Sequence, residues 1–486
     1  MEKYFKKFRK QIIGDKVKFN TPYGRKQMIY ADWVASGRLY QPIEDKISKV
    51  IGPYVGNTHT ETSETGTLMT KAYHYSHKLI KEHVNAGPND VIITAGSGMT
   101  TVINKLQRIL GLKTCGFLTN QICQKERVRP IVFITHMEHH SNQTSWYEVN
   151  ADVEVIPPNK DLLIDLDALR ALLEKYKDRD FKIGSFSACS NVTGIITPYH
   201  EMAKIVHEYG GVCFVDFAAS APYVDINMHP EDPMEKLDGI FFSPHKFLGG
   251  PGTSGVLIFD SSLYHSKTPD NPGGGTVDWT NPWGEYKYID DIETREDGGT
   301  PGFLQSIRAA LCIELKNQMG TQNIHKREQE LTKQAFEKFS KIKGMHILAD
   351  NVKDRLGIIS FYLENIHFNL VVKLLNDRFG IQVRGGCACA GTYGHFLLDV
   401  SYDTSAKITQ KINSGDLSEK PGWIRLSLHP TMTNKELNLV IEAVDQIAEN
   451  YKMWGKDYIY NNYTNEFRHI SEPKDKTEQI KPWFSL

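Results

Sequence analysis

DVIITAGSGMTTVINKLQRIL, residues 90–110, decides the architecture. DVIITAG (90–96) is an apolar run of strand length. From 97 to 110 the period changes: Val102, Ile103, Leu106 and Leu110 recur near helical spacing, so a helix is predicted to follow the strand directly. The same alternation continues outward. PIVFITHMEHH (130–140) reads as a buried strand running into a polar loop, LDALRALLEKY (166–176) as a helix and FKIGSFSACSN (181–191) as a strand. HEMAKIVHEYG (200–210) reads as a helix closed by Gly210 and Gly211, and GVCFVDF (211–217) and DGIFFSPHK (238–246) read as further strands. Strand–helix–strand order requires crossover connections. That predicts an α/β fold, with a mainly parallel mixed sheet flanked by helices. In such sheets ligands bind beyond the carboxyl ends of the strands, so polar residues just after the apolar runs are the candidates for chemistry.

Residues 303–340 read as a long, partly amphipathic helical region. RLGIISFYL (355–363), LVVKLLNDRFG (370–380), IQVRGG and WIRLSLHP then mix short strands with helices, which predicts a smaller α+β domain. The expected division is a large domain over 41–315 and a small domain built from 1–40 and 316–486. A stretch rich in Ser, Asp, Lys and Gly at 400–422 reads as a surface insertion, and the polar tail 459–486, with aromatic spots, as loosely ordered.

The chain has 486 residues, room for about three ordinary units or two larger ones. Lys and Arg number 57 against 58 Asp and Glu, so no overall field favours nucleic acid or an anionic membrane. Mean hydropathy is -0.40, and no apolar run approaches the roughly 18 residues of a membrane span. Seven cysteines, an odd number in so long a chain, do not make a disulfide framework. MEKYFKKFRKQIIG lacks the apolar core of a secretory signal. A soluble cytoplasmic protein is expected, with no nucleic-acid or membrane partner.

The strongest local cluster is FFSPHKFLGGPGTSG (241–255), with Ser243, His245 and Lys246 between a strand and a run of glycines. Burial there lowers a lysine's pKa and frees the neutral amine as a nucleophile, whereas in an open loop Lys246 would be ordinary. Asp216 ends the apolar run GVCFVDF, thirty residues before Lys246. A carboxylate at the end of a core strand is costly unless paired. A protonated pyridine nitrogen is one partner that fits; a backbone turn is the other. AGSGMTT (95–101) joins strand to helix through small residues, which lets amides face a phosphate at the helix N-terminus. It is neither a Walker A sequence nor a dinucleotide fingerprint. His139, in MEHHSNQTSW (137–146), can lie over an aromatic ring or serve structurally; metal binding is disfavoured, because no Cys or carboxylate partner stands at the usual spacing.

Taken in order, these segments resemble the class V aminotransferase family of fold type I pyridoxal phosphate enzymes, and within it the cysteine desulfurase / selenocysteine lyase branch. The resemblance runs through roughly residues 28–450. YADWVASG (30–37) resembles the family's opening segment, and GNTH (56–59) the one that places a histidine, here His59, near the substrate. The resemblance implies Met99 and Thr100 on the cofactor phosphate, His139 stacked on its ring and Asn191 of SNVTG near its phenolic oxygen. It further implies Asp216 on the ring nitrogen, Ser243 and His245 on phosphate, Lys246 as the Schiff-base lysine, and Thr300 of DGGTPG on the phosphate of a neighbouring subunit. A homodimer with pyridoxal 5'-phosphate and a small amino-acid substrate is therefore expected.

VRGGCACAG (383–391) bears on the reaction. It resembles the R-x-G-x-x-C of family members that desulfurate cysteine, with Arg384 and Cys389 at that spacing. Arg384 can hold a carboxylate by two parallel hydrogen bonds, and Arg425 of WIRLSLHP resembles the second carboxylate arginine. As a thiolate, Cys389 can attack the substrate sulfur and become a persulfide, to be passed to a sulfur-acceptor protein; the bland alternative is a small buried cysteine. Two departures stand out. Cys387 beside Cys389 is not the usual pattern, and Ala219 occupies the place where desulfurases commonly carry glutamine. The alternatives are thus an aminotransferase, epimerase or other lyase on a different amino acid, or a binding protein that keeps the fold; the presence of Lys246 and Asp216 speaks against the last.

Overall fold

The computed structural model describes residues 1–113, 129–473 and 475–485. Among the described residues, seven strands build the main sheet: β1 (Asp90–Ala95), β2 (Ile131–Thr135), β3 (Asp152–Ile156), β4 (Lys182–Ser187), β5 (Val212–Asp216), β6 (Gly239–Phe242) and β7 (Gly255–Asp260). Their order across the sheet is β1-β7-β6-β5-β4-β2-β3. The run from β6 to β3 is parallel, and only β7 runs antiparallel to its neighbours β1 and β6. The expected mainly parallel mixed sheet is thus present. Strands inside the sheet such as β2 and β6 are buried on both faces, which is why they read as continuous apolar runs, whereas the edge strand β3 is only partly buried. In β2, Ile131 and Phe133 join the core on one face, while Val132 and Ile134 join the core on the other.

The first helix after β1, α1 (Met99–Ile109), buries Val102, Ile103, Leu106 and Ile109 against that second face. Each such side chain taken out of water contributes about 1.5–3 kcal/mol. The helical region expected over 303–340 is present as two helices, α2 (Phe303–Met319) and α3 (Thr321–Phe339). They break at Gly320, whose φ of 74° is open to glycine but strained for other residues.

The second sheet has four antiparallel strands: β8 (Met345–Ile347), β9 (Ile358–Leu363), β10 (Arg384–Gly386) and β11 (Trp423–Ser427), in the order β8-β9-β11-β10. Its own core includes Ile359, Phe361, Ile424 and Leu426 together with Leu331 and Phe339 of α3. The chain's beginning contributes to both cores: Phe5, Phe8 and Ile12 to that of the main sheet, Ile29 and Ala31 to that of the second. Ile29–Tyr30 also pairs in parallel with Ile381–Gln382.

The stretch 400–422 carries a helix, Tyr402–Asn413, with no buried residue, capped by Ser401 on Thr404 N–H. The tail differs from the loose segment expected. Tyr458–Asn461 and Glu466–His469 form a hairpin, and its Tyr460 and Phe467 rings pack on each other and on His367. The aromatic spots are the cause: they give an otherwise polar segment enough apolar area to dock.

Candidate active site

A cavity of about 210 Å³ opens beyond the carboxyl ends of the parallel strands, where the α/β reading placed it. It gathers Met99, Thr100, His139, Asn191, Asp216, Ser243, His245, Lys246, Arg384, Cys389 and Arg425, residues spread over more than 300 positions of sequence. His59 and Thr300 are elsewhere in the chain: both are exposed, and His59 lines a separate depression with Tyr73 and Asp297.

One end of the cavity suits an anion. Gly98 is extended, so the start of α1 approaches the loop after β6, and Met99 N–H donates to Ser243 Oγ at 2.9 Å. A Cβ on Gly98 would lie 3.0 Å from that oxygen. Thr100 Oγ1 sits 2.6 Å from Ser141 Oγ, a residue that sequence reasoning passed over. Hydroxyls, His245 and the positive end of α1 thus converge on one spot.

At the floor lies Asp216, the last residue of β5, 5% exposed. Its Oδ1 accepts from Ala218 N–H at 2.8 Å. Burial holds its carboxyl up at about 7, against the pull of that bond and of Lys246. Burial also brings Lys246 down to about 8, opposed by Asp216 and assisted by Arg425 and Arg384. A neutral amine is therefore available near physiological pH. His139 caps the helix His140–Tyr147: its Nδ1 accepts from Ser141 N–H at 3.1 Å. That bond fixes the ring as the neutral tautomer with hydrogen on Nε2, and burial with Lys246 nearby lowers its pKa to about 3. Beneath it, Glu138 is fully enclosed and accepts from Thr135, Asn142 and Ser187, joining β2, β4 and the helix that His139 caps.

The opposite wall comes from the second sheet. Arg384 in β10 stands directly across from Arg425 in β11. Cys389 follows on a tight turn in which Ala388 and Cys389 both have positive φ, 51° and 57°. Two bonds hold that turn: Asn191 Nδ2 donates to Ala388 O at 2.7 Å, and His140 N–H to Cys389 O at 2.8 Å. Cys389 is exposed at the cavity mouth and Cys387 is half-buried. Ala219 lines the cavity where the resemblance led one to look for an amide side chain. Sequence reasoning also missed Asp32, which bonds both arginines.

The family model described as Aminotransferase class-V matches residues 29–440. A probable cysteine desulfurase from Staphylococcus epidermidis is 30% identical over 386 residues, 78% of this chain and 87% of the relative. One from Halalkalibacterium halodurans is 29% identical over 371 residues, 75% and 84%. Among solved structures, a cysteine desulfurase from Thermococcus onnurineus superposes with a TM-score of 0.72 at 22% identity, covering 91% of this chain and 98% of that one. A cysteine desulfurase from Escherichia coli gives 0.68 at 21%, with 91% and 98% coverage. The fold is therefore that of fold type I pyridoxal phosphate-dependent transferases, and the chain belongs to the class V aminotransferase family.

Proposed function

We propose that the protein is a pyridoxal 5'-phosphate-dependent cysteine desulfurase, converting cysteine to alanine and leaving the sulfur as a persulfide on Cys389. The observation that carries this reading is that Cys389 lines the same cavity as Lys246, Asp216, Arg384 and Arg425. The names of the 29–30% identical relatives support it.

The residues present fit the cofactor. Asp216 is a buried carboxylate whose raised pKa marks the lack of a full positive partner, and a protonated ring nitrogen supplies one. His139, its ring fixed by the Ser141 N–H bond, suits ring stacking, with Ala218 among the lining residues. Met99, Thr100, Ser243 and His245 would hold the phosphate, and Asn191 would lie by the phenolic oxygen. When bound, the cofactor supplies an electron sink for a carbanion at the substrate α-carbon. The chain's own work is as follows. Arg384 and Arg425 hold the substrate carboxylate. Lys246, whose pKa of about 8 leaves a sizeable neutral fraction near physiological pH, takes the α-proton. Asp216 holds the positive charge on the ring nitrogen. The Cys389 thiolate then attacks the substrate sulfur: an S–S bond forms as the carbon–sulfur bond breaks, and the carbon gains a proton to become alanine.

The remaining assignments belong to the same proposal. The chain divides into a large domain over 41–315 and a small one from 1–40 and 316–486. It works as a cytoplasmic homodimer in which His59 and Thr300 serve the partner's site, which accounts for their distance from the cavity of their own chain. A sulfur-acceptor protein collects sulfur from exposed Cys389. Ala219 favours a second reading: an aminotransferase, epimerase or other lyase on a different amino acid, with Cys389 structural. Incubating the purified holoprotein with a panel of amino acids, while following sulfide, alanine and keto acid together, decides between them. With dithiothreitol present to reduce the Cys389 persulfide to thiol and free sulfide, sulfide and alanine in equal amounts from cysteine are expected; keto acid without sulfide overturns the desulfurase.

A further inference from the structure

Arg384 and Arg425 face each other across an antiparallel strand pair, an arrangement in which like charges repel. Asp32 resolves it with one oxygen for each: Oδ1 accepts from Arg425 Nη2 at 3.0 Å and Oδ2 from Arg384 Nε at 3.2 Å. The two pairs are unequal. The Arg425 side chain is 5% exposed and that of Asp32 14%, whereas Arg384 is 53% exposed. Asp32 and Arg425 thus form a desolvated pair, and Arg384 is the solvent-exposed arm beside it. The backbone around Asp32 is pinned to both partners' surroundings: Ala31 N–H donates to Gln382 O at 2.9 Å, and Ala31 O accepts from Ser427 N–H at 2.8 Å. Asp32 therefore travels with the strands that carry the arginines.

We propose that Asp32 is a positioning and selectivity residue, joining Arg384 and Arg425 into one clamp whose surplus charge of one suits amino acids with a single carboxylate and turns away dicarboxylic ones. This rests on the reading of the two arginines as carboxylate ligands. Two guanidinium groups alone carry two charges and favour a dianionic substrate. With Asp32 pairing both from behind the cavity wall, one charge remains, so a second substrate carboxylate finds no unbalanced cation to meet it. In a half-buried site this difference is not screened away as it would be on the surface.

The test is calorimetric binding of L-alanine and L-aspartate to the holoprotein at low and moderate salt. The wild type is expected to prefer L-alanine. Asp32→Asn should move the aspartate-to-alanine affinity ratio about tenfold or more toward aspartate, with a steeper salt dependence, while Asp32→Glu keeps the wild-type preference. Arg384→Gln, at an exposed position, keeps the test open should Asp32→Asn not fold: with one arginine against Asp32 the clamp's surplus is gone, and L-alanine binding should become less sensitive to salt. An unchanged ratio in Asp32→Asn, or undiminished salt dependence in Arg384→Gln, overturns the selectivity role alone. If Arg384→Gln and Arg425→Gln leave both affinities unchanged, the carboxylate reading itself fails and this role fails with it.

Discussion

Asn191 Nδ2 donates to the carbonyl oxygen of Ala388 at 2.7 Å, so a residue just beyond β4 of the main sheet fixes the turn that carries Cys389. The turn needs the tie. Ala388 and Cys389 both adopt left-handed backbone, at about 1–2 kcal/mol each for residues with a Cβ. The Asn191 bond and the one from His140 N–H to Cys389 O offset that cost. Both anchors come from segments that also line the cavity, so the thiol is held in register with the site rather than swinging on a free loop.

Removing the tie should therefore loosen the turn. For Asn191→Ala, the loss of one side-chain hydrogen bond is worth about 1 kcal/mol, or about fivefold in local opening. Hydrogen exchange across 386–391 should accelerate by that factor while exchange in β4 and β5 stays unchanged. Uniform acceleration over the whole chain would instead mean a global loss of stability.

Lys246 is expected to carry the cofactor. Holoprotein reduced with borohydride and mapped by peptide analysis should be labelled at Lys246, and Lys246→Ala should lose the yellow colour. Of the lysines in the main sheet's core, Lys105 is held in ion pairs with Asp270 and Glu296 and Lys316 is bonded to carbonyls of the 221–224 turn. A label on either would place the chemistry elsewhere.

Asp216 ties function to pH. Asp216→Asn should lower turnover about 10²-fold or more, because the charge partner of the ring nitrogen is lost, with the fold retained. In cofactor-free protein the same residue predicts a stability profile. Its folded pKa of about 7 lies above the ordinary 3.8, so the folded state holds the proton more tightly, and stability falls as pH rises from about 4 to 7. Lys246 acts at the other end. Its folded pKa of about 8 lies below 10.5, the unfolded state binds more protons between those values, and stability rises with pH across them. Urea midpoints against pH check both: Asp216→Asn should flatten the acid limb and Lys246→Ala the alkaline one.

Much of the main sheet was legible because its inner strands are buried on both faces, as Ile131 to Ile134 show, and uninterrupted apolar runs announce themselves. The cavity residues at strand ends, Asp216 and Ser243 among them, follow from the same logic. Asp32 does not. A single aspartate in YADWVASG carries no local signal. Its meaning appears only when Ile29–Tyr30 pairs with Ile381–Gln382 and brings it between two arginines some 350 and 390 residues away. The break at Gly320 carried the same signal as Gly210, a glycine after a helical run followed by the polar Thr321, Gln322 and Asn323, and the positive φ confirms the turn. The docking of the tail hairpin depends on His367, a partner roughly a hundred residues away.

His59 and Thr300 supply a test of assembly. Glycines 273–275 connect them: a Cβ on Gly275 would lie 3.2 Å from the His59 ring, and Gly299 N–H donates to Gly274 O at 2.8 Å. If this surface completes the site of a partner, mixing inactive Lys246→Ala subunits with inactive His59→Ala subunits should restore activity. Hybrid dimers then hold one intact site of two, and random exchange should give about a quarter of wild-type activity. No recovery after exchange, confirmed by native mass spectrometry, would mean that each site is built from one chain.

Cys389 decides the reaction. It is exposed and lines the cavity that Arg384 and Arg425 also line, and on the proposed reading a sulfur held by way of the substrate carboxylate is presented to it there. Persulfide formation needs a thiolate and an open approach, and exposure supplies the second. Cys389→Ser should abolish sulfide release from cysteine, by about 10²-fold or more since the nucleophile itself is lost, while cofactor binding and colour persist. Cys387→Ser should leave turnover within about twofold, because its half-buried side chain packs against the main-sheet core and does not line the cavity. Trapping with an alkylating reagent after one turnover should find the extra sulfur on Cys389 alone. Full activity of Cys389→Ser on the true substrate would end the desulfurase reading and leave the carbanion chemistry of Lys246 and Asp216 to serve another amino acid, as Ala219 already hints by standing where an amide was expected.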